Sequence, residues 1–168
     1  MPMVPFMQKF RDLGVSETRS VKMTGVPELP DGDYGFIELY CDEPNCDCRR
    51  VFIDVFRHDT GQKIWATIGY GWESLEFYRK WARGSCDGKE LMGASLAEFN
   101  PQTKYSPALL SVFQALLKSP EYVERIKKHY RIFRAAVDQE QSGPHTRRLA
   151  SIRRSQPRNP KPRRPPWF

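Results

Sequence analysis

Long apolar runs are missing from this 168-residue chain. A bilayer-spanning helix needs roughly 20 consecutive apolar residues, and no window approaches that, so no integral membrane association is expected. Residues 1–10 carry no basic cluster ahead of an apolar stretch, which argues against a secretory signal. Cysteine is scarce, at four residues, and histidine scarcer, at three. Four thiols are too few for a disulfide-built scaffold. There is no Gly-rich phosphate loop, Walker lysine motif, Gly-x-Ser-x-Gly elbow or His-Glu-x-x-His. Those absences remove the nucleotide-binding, hydrolase and metalloprotease classes that a sequence can declare. A cytoplasmic protein is expected, and a noncatalytic one before an enzyme.

Acidic residues are missing from one region only. The net charge is +7, and residues 143–168 hold Arg147, Arg148, Arg153, Arg154, Arg158, Lys161, Arg163 and Arg164 with no Asp or Glu among them. The first 142 residues are therefore almost neutral. The same segment contains Pro144, Pro157, Pro160, Pro162, Pro165 and Pro166. Proline withholds backbone donors, like charges extend the chain, and few apolar groups offset the ordering entropy. The chain therefore divides into a single domain at 1–142 and an Arg/Pro-rich tail at 143–168, expected to be disordered. A polycation of this kind attracts RNA, DNA or an acidic protein surface. The closing Pro-Pro-Trp-Phe adds rings able to stack on unpaired bases.

The body changes its period twice. Phe6, Phe10 and Leu13 fit one face of a short helix that Gly14 would end, and residues 25–32 read as loop. Residues 34–40, 50–58 and 63–69 then alternate at period two and are rich in β-branched and aromatic side chains. Asp59-Thr60-Gly61-Gln62 supplies a hairpin turn. A three-stranded antiparallel meander follows. Helical spacing returns at 72–83, with Leu75, Tyr78 and Trp81 on one face. Residues 85–105 read as irregular. Ser106-Pro107 and Ser119-Pro120 are both helix starts, opening helices at 108–118 and from 120 to about 137. The last has an apolar stripe of Val123, Ile126, Tyr130, Phe133 and Val137. Arg125, Lys127, Lys128, Arg131 and Arg134 lie off that stripe and read as a solvated face paired with Glu121 and Glu124. The fold class is α+β, about three helices covering the meander.

Cys41, Cys46 and Cys48 fall in the turn between the first two strands of the meander. A hairpin brings Cys41 and Cys48 together, and Cys46 in the loop can point to the same spot. Zn²⁺ takes four ligands in a tetrahedron, and three thiolates supply most of that set. Arg49 and Arg50 would offset their charge. Cys86 is the expected fourth ligand, with Asp42 or Asp47 as oxygen alternatives. His58 lies ten residues past Cys48, about 33 Å along an extended strand. The spacing C-x4-C-x-C is less diagnostic than paired C-x-x-C motifs, and reduced structural thiols are the plainer alternative. The function expected is a noncatalytic, zinc-stabilised protein that binds nucleic acid or a ribonucleoprotein surface through its tail. An adaptor built on a zinc hairpin is the second reading, and a thiol-dependent redox enzyme the third.

Overall fold

The computed structural model describes residues 3–141. Four short elements come first: β1 (Met3–Pro5), α1 (Phe6–Lys9), α2 (Arg11–Glu17) and β2 (Arg19–Met23). The strands β3 (Gly32–Cys41), β4 (Arg50–Arg57) and β5 (Ile64–Gly71) follow, then α3 (Leu75–Ala82), β6 (Gly93–Leu96), α4 (Ser106–Leu116) and α5 (Pro120–Gln141). All six strands join one antiparallel sheet in the order β1-β3-β4-β5-β6, with β2 sharing the β3 edge that β1 occupies. This is an α+β fold. The meander of β3, β4 and β5 sits at its centre, as the alternation predicts.

Alternation also decides which face is covered. Tyr34, Phe36, Tyr40, Val51, Ile53, Val55 and Ile68 are buried on one side of the sheet. Leu109 and Phe113 of α4 and Ile126, Phe133 and Val137 of α5 close over them. Each fully buried aromatic or aliphatic side chain contributes roughly 1.5–3 kcal/mol. The residues between, Ile37, Leu39, Phe52, Asp54 and Phe56, point to the other face and are half-buried. Ser119 caps α5 by accepting from the Tyr122 amide at 3.4 Å, the role expected of it. Ser106 does something else: its hydroxyl donates to the carbonyl of Trp65 in β5, tying α4 to the sheet.

Several expectations are corrected. The sheet has six strands, not three, because β1, β2 and β6 are three to five residues long and gain order only through pairing with distant partners. Residues 85–105, expected to be irregular, include β6 and a 3-10 turn at Lys89–Leu91. Gly14 does not stop a helix. It lies within α2, where an added Cβ would come 2.7 Å from Cβ of Met7, so it allows α1 and α2 to pack closely. The tail at 143–168, with all eight of its cationic residues, lies outside the described residues. Among the described residues no helix is long and apolar enough to cross a membrane.

Candidate metal centre

The turn joining β3 to β4 holds two non-glycine residues in the left-handed region, Asn45 (φ 58°) and Arg49 (φ 46°). Asparagine is among the side chains that tolerate this conformation best. The Cys46 amide donates to the carbonyl of Glu43 at 3.2 Å, closing a tight turn. Those bends fold the loop back on itself. The Sγ atoms of Cys41, Cys46 and Cys48 lie within 4.8 Å of one another. Cys41 and Cys48 are buried, Cys46 is partly exposed, and no disulfide joins them.

The loop is clamped by side chains of α5 and α3. Arg134 of α5 donates to the carbonyls of Cys41 at 3.1 Å and Glu43 at 3.0 Å, and its other terminal nitrogen meets Asp138. The Tyr130 hydroxyl accepts from the Arg49 amide and donates to Asp47, both at 3.3 Å. From α3, the Tyr78 hydroxyl donates to the Arg49 carbonyl at 2.8 Å. The Arg49 guanidinium grips both oxygens of Asp47 at 3.0 Å, reaches Glu73 at 3.2 Å and sits over the Phe77 ring. Backbone groups of the loop are thus held by side chains of fixed elements, which prepositions the sulfurs.

The sulfurs are electrostatically unequal. A hydrogen bond from Cys48 lowers the Cys41 thiol to about 6; burial opposes this, and the Glu43 amide, 3.4 Å from Sγ, assists it. Cys48 moves upward, through its bond to Cys41 and its burial. Burial also raises Cys46. One thiolate is therefore stabilised by two neighbouring thiols. A divalent cation would replace the remaining protons, because thiolates are the ligating form.

The sequence places three of its four candidate ligands correctly together. Cys86 stands outside the group, in the segment after α3, within electrostatic range of Arg50. Asp47 is engaged by Arg49 and Tyr130, and neither it nor Asp42 joins the thiols. His58 begins a 3-10 turn at the far end of β4. Three thiolates leave one tetrahedral position to water, an added ligand or a rearranged side chain. Soft donors of this type select Zn²⁺ or Cu(I) over hard cations.

Two buried polar side chains of α5 are not signalled by the sequence pattern. The spacing puts Arg134 on the solvated face of the last helix, yet it is buried and donates to the cysteine loop. The expected pairing along that face is also revised: Lys127 meets Glu124, while Arg125 and Lys128 reach Glu17 of α2. His129 is 1% exposed, with Nδ1 2.7 Å from Glu38 and Nε2 2.9 Å from Glu17. Each ring nitrogen thus faces its own carboxylate, one from β3 and one from α2. Phe6 stacks on the ring at 4.2 Å, and the Tyr40 hydroxyl donates to the same Glu38 oxygen. This network braces α2, β3 and α5. The polar spacing on α5 gave no sign of it.

Comparison with models of known families, with curated proteins and with solved structures finds no match.

Proposed function

We propose that this protein is a noncatalytic, zinc-stapled binding protein whose basic segment, residues 143–168, engages nucleic acid or a ribonucleoprotein surface. The observation that carries the metal half is the convergence of Cys41, Cys46 and Cys48 within 4.8 Å. Zinc is favoured among soft-seeking ions because it needs no redox partner and accepts near-tetrahedral sulfur sites. Its task here is structural: it crosslinks the β3–β4 corner that α3 and α5 grip. Reduced thiols of this sort suit a reducing compartment such as the cytoplasm. The nucleic-acid half is supported by eight cations without an acid, interleaved with prolines and closed by Trp167 and Phe168. Phosphate neutralisation by such a segment favours polyanions and is sensitive to salt.

A groove of about 490 Å³ beside the cysteine loop supports the adaptor reading. It is lined by Cys46, Asp47, Tyr130, Arg131 and Arg134, among others. Elemental analysis of protein purified without added metal tests the zinc. Retention on immobilised RNA and single-stranded DNA, with and without residues 143–168, tests the partner. A partner that stays bound after truncation favours the adaptor.

A further inference from the structure

Arg50 opens β4 and lies two residues past the last clustered cysteine. Its register partner on β5 is Gly71, and the next same-face pair is Phe52 with Gly69. Gly69 in turn pairs with Ser95 of β6. The Arg50 guanidinium spreads over this dent. A Cβ on Gly69 would lie 2.9 Å from Nη2 of Arg50 and 3.4 Å from the Phe52 ring. Glycine at this strand position therefore makes room for the cation. The segment Lys89–Leu91 crosses over Gly71, where an added Cβ would strike the Leu91 carbonyl.

Arg50 is 8% exposed, yet Nε has no hydrogen-bond partner and no carboxylate forms an ion pair with the group among the described residues. Its guanidinium lies over the Phe52 ring, 5.6 Å away, and the only ionisable groups within electrostatic range among the described residues are the Tyr78 hydroxyl and the Cys48 and Cys86 thiols. Burying a cation without a partner is costly, so folds avoid it unless the partner arrives from outside. Beside Arg50 is a pocket of about 520 Å³ lined by Phe52, Gly69, Leu91, Leu96 and Phe99, with Glu90 and Glu98 among its borders. That volume falls within the range of small-molecule sites, roughly 300–1,000 Å³. Phe99 is fully exposed, an aromatic ring held in water at the pocket's edge.

We infer that Arg50 and this pocket bind a small organic monocarboxylate with an apolar body. The planar guanidinium fork matches a carboxylate in two-point contact. Phe52, Leu91, Leu96 and Phe99 offer apolar surface for the rest of the molecule. A single cation bordered by Glu90 and Glu98 disfavours phosphate, multiply charged anions and nucleic acid. The site is separate from the thiol cluster and does not depend on the metal reading. Cys48 lies within electrostatic range of Arg50, so a counter-charge role toward metal-bound thiolate is the alternative the experiment must separate.

The test is a nitrogen-15 NMR titration of the full chain, following the Arg50 Nε–H resonance. The probes are phenylacetate, acetate and inorganic phosphate, each added with and without a zinc chelator. Phenylacetate should shift that resonance saturably. Acetate, lacking the apolar body, should bind ~10-fold more weakly, and phosphate should not saturate. Arg50→Lys should weaken phenylacetate binding ~10-fold or more by losing the fork. Because Arg50 is buried, Phe99→Ala serves as the second variant: it should keep the fold and lose ~3–10-fold in affinity. Phosphate binding more tightly than phenylacetate would overturn the proposal, as would Arg50→Lys with unchanged affinity. A resonance that answers to the chelator and to no carboxylate would assign the guanidinium to the thiolates instead.

Discussion

Arg134 of α5 donates to the carbonyl of Cys41, 3.1 Å away and 93 residues earlier in the chain. A second donation to Glu43 makes the guanidinium a bracket across the start of the cysteine loop. Arg134→Met keeps most of the side-chain bulk but removes both donations, leaving the Glu43 carbonyl with the Cys46 amide and the Cys41 carbonyl without its α5 donor. At about 1–3 kcal/mol for one buried acceptor left without its donor, unfolding free energy should fall by about 1–3 kcal/mol. Zinc affinity should drop ~10–100-fold, the usual effect of removing an outer support of a metal site. Arg134→Lys should recover only part of either, because a single ammonium nitrogen must serve the two carbonyls that share Nη1 and has no second nitrogen for Asp138. Urea unfolding and competition with a chromophoric chelator read the two quantities. A stability change within ~0.5 kcal/mol, the ordinary range for surface positions, would show the bracket to be idle.

The cysteines should separate into two groups. Cys41→Ser, Cys46→Ser and Cys48→Ser should each reduce zinc from about one ion per chain toward none and lower the melting temperature. Cys86→Ser should retain the metal. Zinc release on thiol modification, quantified per chain, measures this directly. If Cys86→Ser also lost its zinc, the segment after α3 would have to move onto the cluster when metal binds.

The His129 network sets an acid limit and the buried tyrosines an alkaline one. Burial opposes the charged form of Glu17, but the hydrogen bond and charge of His129, with Lys128 beside it, lower its carboxyl below the ordinary 4.5. A depressed carboxylate stabilises the fold above the unfolded value and loses that contribution as pH falls below it. Stability should therefore decline below about pH 4.5, and Glu17→Gln should flatten that limb. Burial raises the Tyr78 hydroxyl to about 12 and moves Tyr40 and Tyr122 in the same direction. Groups raised in the folded state stabilise it below their unfolded value, near 10, and stop doing so as pH climbs past it. Urea midpoints from pH 3 to 11 show both limbs. Chelator added throughout removes the metal–thiolate contribution, and the Cys41 thiol, lowered to about 6, titrates well above the carboxylate limb.

What the sequence disclosed follows how local each signal is. Period-two alternation at 34–40, 50–58 and 63–69 needs no distant partner to be read, and the meander was legible. The convergence of Cys41, Cys46 and Cys48 was legible for the same reason, since strand–turn–strand geometry confines eight residues. Cys86 is a candidate only as the one remaining thiol, and its position depends on how α3 leaves the sheet, which no local pattern encodes. Arg134 and His129 looked like ordinary polar positions because their burial is created by groups about ninety residues away. Strand β6 was missed because four residues carry too little periodicity to outweigh the glycines and turns around them.

The basic segment offers the sharpest quantitative test of the nucleic-acid reading. Each neutralised phosphate contributes about −0.7 to −0.9 to the slope of log affinity against log salt. Full engagement of Arg147, Arg148, Arg153, Arg154, Arg158, Lys161, Arg163 and Arg164 would give a slope of about −6 to −7. Removing residues 143–168 should bring it near zero, because residues 1–142 are almost neutral. Neutralising Arg153 and Arg154 alone should lower the magnitude by about 1.5 while leaving zinc content untouched. Filter-binding isotherms on a short single-stranded RNA between 50 and 300 mM salt suffice (roughly the range where such slopes are linear). A shallow slope in the intact protein, or one that survives the truncation, would leave the metal staple standing and move the binding surface onto the folded body.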